Sequence, residues 1–272
     1  MIDATDTSSA GSAGASTQAA RPAAAVASSV RVMEGAGVPI RRVLPSREFP
    51  YQLVDPFLLL DHFHMDSFDG GAFPPHPHRG FEIVTYMLQG EGHHSDSEGN
   101  RGTVRAGGLQ RITAGRGIWH GEGGEGPSSG PVEGLQLWIN LERAAKGIPP
   151  GYQAVQAEEI PERTIDDARV RVLLGEGSPT RLHTPSVYYD VYLPPQGKTT
   201  VALAPEFQGF AYLLEGDGAF GSNQVAATTG QIVVLGQGGP FTAVAGGRGA
   251  HFVLAAGKPH REPVRFNGPY VD

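Results

Sequence analysis

The 272-residue chain has no cysteine, which excludes disulfides, thiolate nucleophiles, Fe–S clusters and zinc-finger ligation together. Any metal must sit on histidine and carboxylate. Long apolar runs are missing too: no stretch approaches the ~18 residues a membrane helix needs, so no membrane partner is expected. The N-terminus carries Asp3 and Asp6 and no base before Arg21, which argues against a secretory signal and for a cytoplasmic protein. Positive charge is scarce, with 21 Lys and Arg against 28 Asp and Glu and a net charge of −7. With no Lys/Arg-rich string, direct binding to nucleic acid is not expected.

Glycine is abundant instead: 39 Gly and 22 Pro accompany 39% apolar residues, the composition of a turn-rich globular protein. The glycine share is about twice the usual ~7% and fits many short strands rather than a helical bundle. Residues 1–29 are almost entirely Ala, Ser, Gly and Thr and read as a disordered leader. From Val30 onward, short apolar runs such as GFEIVTYMLQGEG and GLQLWINL alternate with turn formers, the pattern of strands.

The second half repeats the first. Tyr86-Met87-Leu88-Gln89-Gly90-Glu91-Gly92 matches Tyr212-Leu213-Leu214-Glu215-Gly216-Asp217-Gly218, and Ala106-Gly107-Gly108-Leu109-Gln110 parallels Thr229-Gly230-Gln231-Ile232-Val233. The fold class is therefore all-β, as two small antiparallel barrels or jelly rolls. The expected organisation is a first domain at 30–145, a linker with a helical turn or two at 146–184, and a second domain with its tail at 185–272.

Chemistry concentrates in the first domain, where seven of ten histidines fall between positions 62 and 120. In PPHPHRGF, His76 and His78 are two apart, so on a strand both imidazoles project to one face, roughly 6 to 7 Å apart at the backbone. His120 and Glu122, in Trp119-His120-Gly121-Glu122, share that spacing. Two such pairs on two strands of one barrel predict a metal site of His76, His78, His120 and Glu122. His62 and His64 form a rival pair without a carboxylate partner pair, and His62 reads as part of a hydrogen-bonded strand end. His93 and His94 read as hairpin surface, Arg79 as a solvated or paired cation, and the Gly-rich segment 113–118 as a turn.

The stretches PPHPHRGFEIVTYMLQGEG, TAGRGIWHGE, LQLWINL, LVDPFLLLDHF and NGPYV resemble those of the pirin family of the cupin superfamily. That resemblance implies a bicupin, two cupin-type β-barrels, with one iron in the first, at positions matching His76, His78, His120 and Glu122. Three imidazoles and one carboxylate leave two open positions on an octahedral ion. Fe(II) is the expected metal, and Mn, Ni, Cu or Zn suit the same donor types. The resemblance implies two functions of different class. One is a quercetin 2,3-dioxygenase-like enzyme that opens a flavonol ring with O2 and releases CO, with Glu122 as the catalytic base for the 3-hydroxyl. The other is a non-enzymatic, iron-dependent redox-sensing co-regulator that binds a protein partner.

Two departures from the family pattern stand out. The segment GGEGPSSGP after Glu122 is unusually Gly-rich, and the chain stops at Asp272, so a shortened terminal tie between the domains is expected. The second barrel is expected to hold no metal and to brace the first. Aligned at Tyr86 and Tyr212, it puts Ala202 and Ala204 opposite His76 and His78. Aligned at Gly107 and Gly230, it puts Ala243 and Ala245 opposite His120 and Glu122.

Overall fold

The computed structural model describes residues 18–35, 37–66, 73–122 and 130–272. They form 22 strands and three single-turn 3-10 helices. In the first half, a seven-stranded sheet has the strands Phe81–Gln89, Val132–Asn140 and Phe57–Met65 among its inner members. A four-stranded sheet, ordered Phe73–His78, Ile118–Glu122, Glu91–Asp96, Arg101–Arg105, accompanies it. The second half is built on a nine-stranded sheet that contains the long strands Gln208–Phe220 and Phe241–Gly257.

The inner strands of the seven-stranded sheet are buried on both faces, which explains their nearly unbroken apolar runs. Val84, Tyr86, Leu135 and Leu137 turn toward the second half and join one core with Phe210, Tyr212, Ile232 and Val253. Gln136 and Trp138, on the other face, line a cavity of about 600 Å³ walled mostly by the first half. Covering one face with the second half thus leaves the other free for chemistry. A polar clamp crosses the join: Tyr86 donates to Asp190 at 2.6 Å, His251 contacts the same carboxylate at 2.6 Å, and Arg171 donates to the Tyr86 oxygen at 2.8 Å.

The repeat is visible in the backbone. Gly107 N–H donates to the Met87 carbonyl and Gly230 N–H to the Leu213 carbonyl, with φ of +80° and +82° at the two glycines. A side chain at either would strain that left-handed turn.

Three expectations need correction. The leader reading fails for 18–29, because Ala23–Ser28 is a strand paired with Gln231–Leu235 of the second half. Composition rules count side-chain area, whereas this strand is held by backbone hydrogen bonds and anchored by Arg21. The fully buried Arg21 guanidinium donates to the carbonyls of Ala204, Phe207, Gly238 and Gly239. Residues 1–17 lie outside the described residues. The linker reading of 146–184 fails likewise. Gly151–Val155 extends the seven-stranded sheet, while Glu162–Ile165 and Ala168–Leu174 belong to the nine-stranded one. Only Ala157–Glu159 supplies a helical turn there.

The third correction concerns the repeat alignment. His120 pairs with His76 and Ile118 with His78, whereas Ala243 pairs with Thr199 and Phe241 with Val201. Thr199 and Val201, not Ala202 and Ala204, therefore stand where the histidines stand. The connection 202–207 is longer than its counterpart 79–80, so an offset fixed at the tyrosines does not carry back across it. Ala243 and Ala245 keep their expected places, buried with Val201, Phe220 and Phe252.

Candidate metal centre

The strand Ile118–Glu122 runs between two partners and carries His120 and Glu122 to their shared face. On one side His120 sits opposite His76, and on the other Glu122 sits opposite His94. The imidazole centroids of His76, His78 and His120 are 4.4 to 5.0 Å apart. One donor atom from each of these three lies within 4.8 Å of the others, and His94, His120 and Glu122 form a second such triad. The four residues expected from spacing are thus spread over two overlapping triads that share His120.

The protons are arranged for metal binding. His76 Nδ1 donates to the Pro74 carbonyl at 2.8 Å and His78 Nδ1 to the Pro269 carbonyl at 3.3 Å, which leaves each Nε2 lone pair free. Both nitrogens of His120 are buried without any hydrogen-bond partner. Such an orphan costs about 1 to 3 kcal/mol unless something fills it, and a cation does so for the nitrogen that carries the lone pair. Burial pushes His120 down to about 2 and His78 down to about 4, with neighbouring imidazoles adding to both. Neutral imidazole is the form a metal requires. On donor chemistry and proton placement, these residues fit a divalent ion.

Glu122 is held from both sides. Gln110 Nε2 donates to one oxygen at 2.7 Å and Gln136 Nε2 to the other at 3.1 Å. The Trp138 indole N–H donates to Gln136 Oε1 at 2.9 Å, and because indole only donates, this fixes which end of the Gln136 amide faces Glu122. Enclosure raises the Glu122 carboxyl to about 7, against the lowering effect of the Gln110 hydrogen bond.

The hairpin-surface reading of His94 is wrong. Its side chain is buried and stacks on Tyr152 at 4.1 Å, and its Nε2 bonds to Asp96 at 2.9 Å. Burial would raise Asp96, but hydrogen bonds from His94 and Asn100 hold it below the usual range. The Nδ1 of His94 is left buried and unpartnered beside His120. Sequence reasoning also passes over Gln110, Gln136 and Trp138. A signal exists: Gln136 and Trp138 share a face in the apolar run LQLW, and His94 and Asp96 are two apart like the other pairs.

The rival His62 does not join the centre. It lies between Tyr212 at 3.0 Å and Glu133 at 2.7 Å, at the join of the halves, and His64 reaches Glu133 and Asp66. Arg79 is paired with Asp272 at 2.8 Å, as expected, and 115–116 form the expected turn. Of GGEGPSSGP, residues 123–129 lie outside the described residues.

Family models decide the lineage: residues 37–139 match the Pirin model and residues 188–272 the Pirin C-terminal cupin domain. The chain belongs to the pirin family. It is 41% identical over 251 residues to a pirin-like protein of Arabidopsis thaliana, covering 88% of this chain and 80% of that one. Human pirin is 39% identical over 246 residues, covering 88% and 83%. Among solved structures, quercetin 2,3-dioxygenase from Acinetobacter baumannii superposes with a TM-score of 0.83 at 29% identity, covering 93% of this pirin and 92% of that chain. Among the described residues, no helix is long and apolar enough to cross a membrane.

Proposed function

We propose that this pirin is a metal-dependent dioxygenase of the quercetin 2,3-dioxygenase type. His76, His78, His120 and Glu122 hold Fe(II), and the substrate is a flavonol-like aromatic. The carrying observation is the cavity: about 600 Å³, walled by His76, His78 and Glu122 and by Leu58, Phe63 and Trp138. That volume suits a drug-sized planar ligand. The likeness to the Acinetobacter enzyme supports the same reading.

A divalent metal held by these residues would supply Lewis acidity to a substrate hydroxyl. This chain's own residues do the rest. Glu122, whose oxygens are held by Gln110 and Gln136, is the carboxylate placed to take a hydroxyl proton. Gln110 and Gln136 keep its carboxylate aimed while the proton arrives. Trp138, stacked on Phe81 at 4.3 Å and edge-on to His78 at 4.9 Å, gives the ligand a flat apolar wall.

The test is aerobic incubation of Fe(II)-loaded protein with quercetin. Loss of flavonol absorbance with one CO per molecule is expected. Quercetin left intact by metal-replete protein overturns the enzyme reading and moves the iron-dependent co-regulator reading ahead of it.

A further inference from the structure

The last fifteen residues leave the second half. After Phe241–Gly257 the chain crosses back onto the first half, where Arg261 N–H donates to Asp55 at 2.7 Å and His260 Nε2 contacts the Asn140 carbonyl at 2.9 Å. It ends in a tight hairpin, Phe266–Asn267 paired with Tyr270–Val271, which lies against the end of the strand that carries His76 and His78. A tie between the halves is therefore present.

The attachment is extensive. Val271 N–H donates to the Arg79 carbonyl at 3.0 Å, Lys146 Nζ donates to the Val271 carbonyl at 3.1 Å, and the Arg79 guanidinium pairs with Asp272 and lies 5.2 Å from the Tyr270 ring centre. The Val271 side chain is fully buried among Leu58, Phe81, Ile83 and Ile118 of the first half. At Gly80, φ is +92° and a Cβ would collide with the Val271 carbonyl oxygen, so the adjoining turn is shaped to admit the hairpin.

Two consequences reach the site. Pro269 offers His78 a carbonyl, which can only accept, so the proton sits on Nδ1 and the lone pair on Nε2. Phe266, Gly268 and Pro269 also form part of the cavity wall. Phe266 is 52% exposed, one of four large apolar residues more than half exposed among the described residues, and it is the one that borders the cavity.

We propose that the C-terminal hairpin, supplied from beyond the metal-free half, completes the first half's site. Pro269 is a positioning residue that sets the His78 tautomer, and Phe266 is a specificity residue whose ring packs on a planar aromatic ligand. The Pro269 role rests on His78 as a metal ligand, and the Phe266 role rests on an aromatic substrate.

Three measurements test the pair of roles. In metal-free protein, ring 15N shifts should report His78 as the Nδ1–H tautomer, and an Nε2–H tautomer overturns the Pro269 role without any variant. Deleting residues 266–272 should weaken Ni(II) binding about tenfold, the lower end of what losing a ligand's outer partner costs. A folded deletion variant with parental Ni(II) affinity overturns it as well. Should the deletion variant fail to fold, the tautomer measurement decides.

Phe266→Ala should leave Ni(II) affinity unchanged and weaken anaerobic quercetin binding to the Ni(II)-loaded protein by about three- to tenfold, the worth of one aromatic contact. Unchanged quercetin affinity overturns the Phe266 role. A parent protein that binds no quercetin overturns that role together with the substrate reading. A parent that binds quercetin without converting it overturns only the catalytic reading and leaves the Phe266 role standing.

Discussion

At one point of the repeated ladder, His120 stands across from His76 in the first half, and Ala243 stands across from Thr199 in the second. The backbone is the same and the interior is opposite. Around Ala243, the side chains of Val201, Phe220, Phe241 and Phe252 close into a packed core. Around His120 stand His76, His78 and Glu122, which border the cavity, with unpartnered imidazole nitrogens and a carboxylate held by two amides. One half thus carries packing where the other carries unsatisfied polar groups.

The largest effect is expected from neutralising the carboxylate shared with the imidazoles, Glu122. Glu122→Gln keeps the shape and an oxygen donor but removes the base. Turnover should fall by about 10²- to 10⁴-fold, the usual worth of a positioned general base, while metal content stays near one per chain. Unchanged turnover removes Glu122 from the chemistry.

Next in size is the exchange of His120 for what the second half carries. His120→Ala removes the donor shared by both triads, and metal affinity should fall by at least about 100-fold, measured as metal per chain after desalting. The metal-free variant should melt close to the metal-free parent, because the side chain lost had no hydrogen-bond partner. A large drop in melting temperature would make His120 a structural residue. His78→Ala should likewise lower metal content with the fold intact.

The reverse exchange, Ala243→His, tests the other half. Overpacking a tight core costs about 1 to 3 kcal/mol, and an unpartnered imidazole adds to it. Denaturant melts should show this destabilisation, with no second metal bound. Two metals per chain in the parent protein would overturn the assignment of the second half.

The same contrast shows what the sequence makes legible. Pairs two apart, His76 with His78 and His120 with Glu122, point to one face because a strand has period two, and no tertiary knowledge is needed. The repeat is readable at Gly90 and Gly216, where φ is +74° and +85° and glycine is the natural residue. What is not readable depends on partners distant in sequence. Ala23–Ser28 becomes a strand only because Gln231–Leu235 lies beside it, and Pro269 meets His78 across 191 positions. His94 reads as surface because its local hairpin is polar, and its burial comes from Tyr152, on a segment that reads as a linker.

The smallest effect is the share of the metal-free protein's acid response that comes from His78, His120 and Glu122, and the sign of that share follows from their shifts. His78 and His120 stay neutral when folded, down to about 4 and about 2, but protonate near 6.5 when unfolded. Below pH 6.5 the unfolded chain therefore binds more protons, and acid destabilises the fold through them. Glu122 acts the opposite way: folded, it takes a proton near 7, and unfolded only near 4.5, so acid between those values stabilises. Among these three, two groups against one leave a net loss on the order of 1 to 2 kcal/mol from pH 7 to pH 5, since each tenfold change in a protonation equilibrium is worth about 1.4 kcal/mol. Glu122→Gln removes the offset, so its metal-free form should lose stability more steeply over that range, in urea melts at each pH. His120→Ala should flatten the curve. If both variants follow the parent's curve, these buried groups do not set the acid response, and the contrast between a polar half and a packed half carries no pH signature.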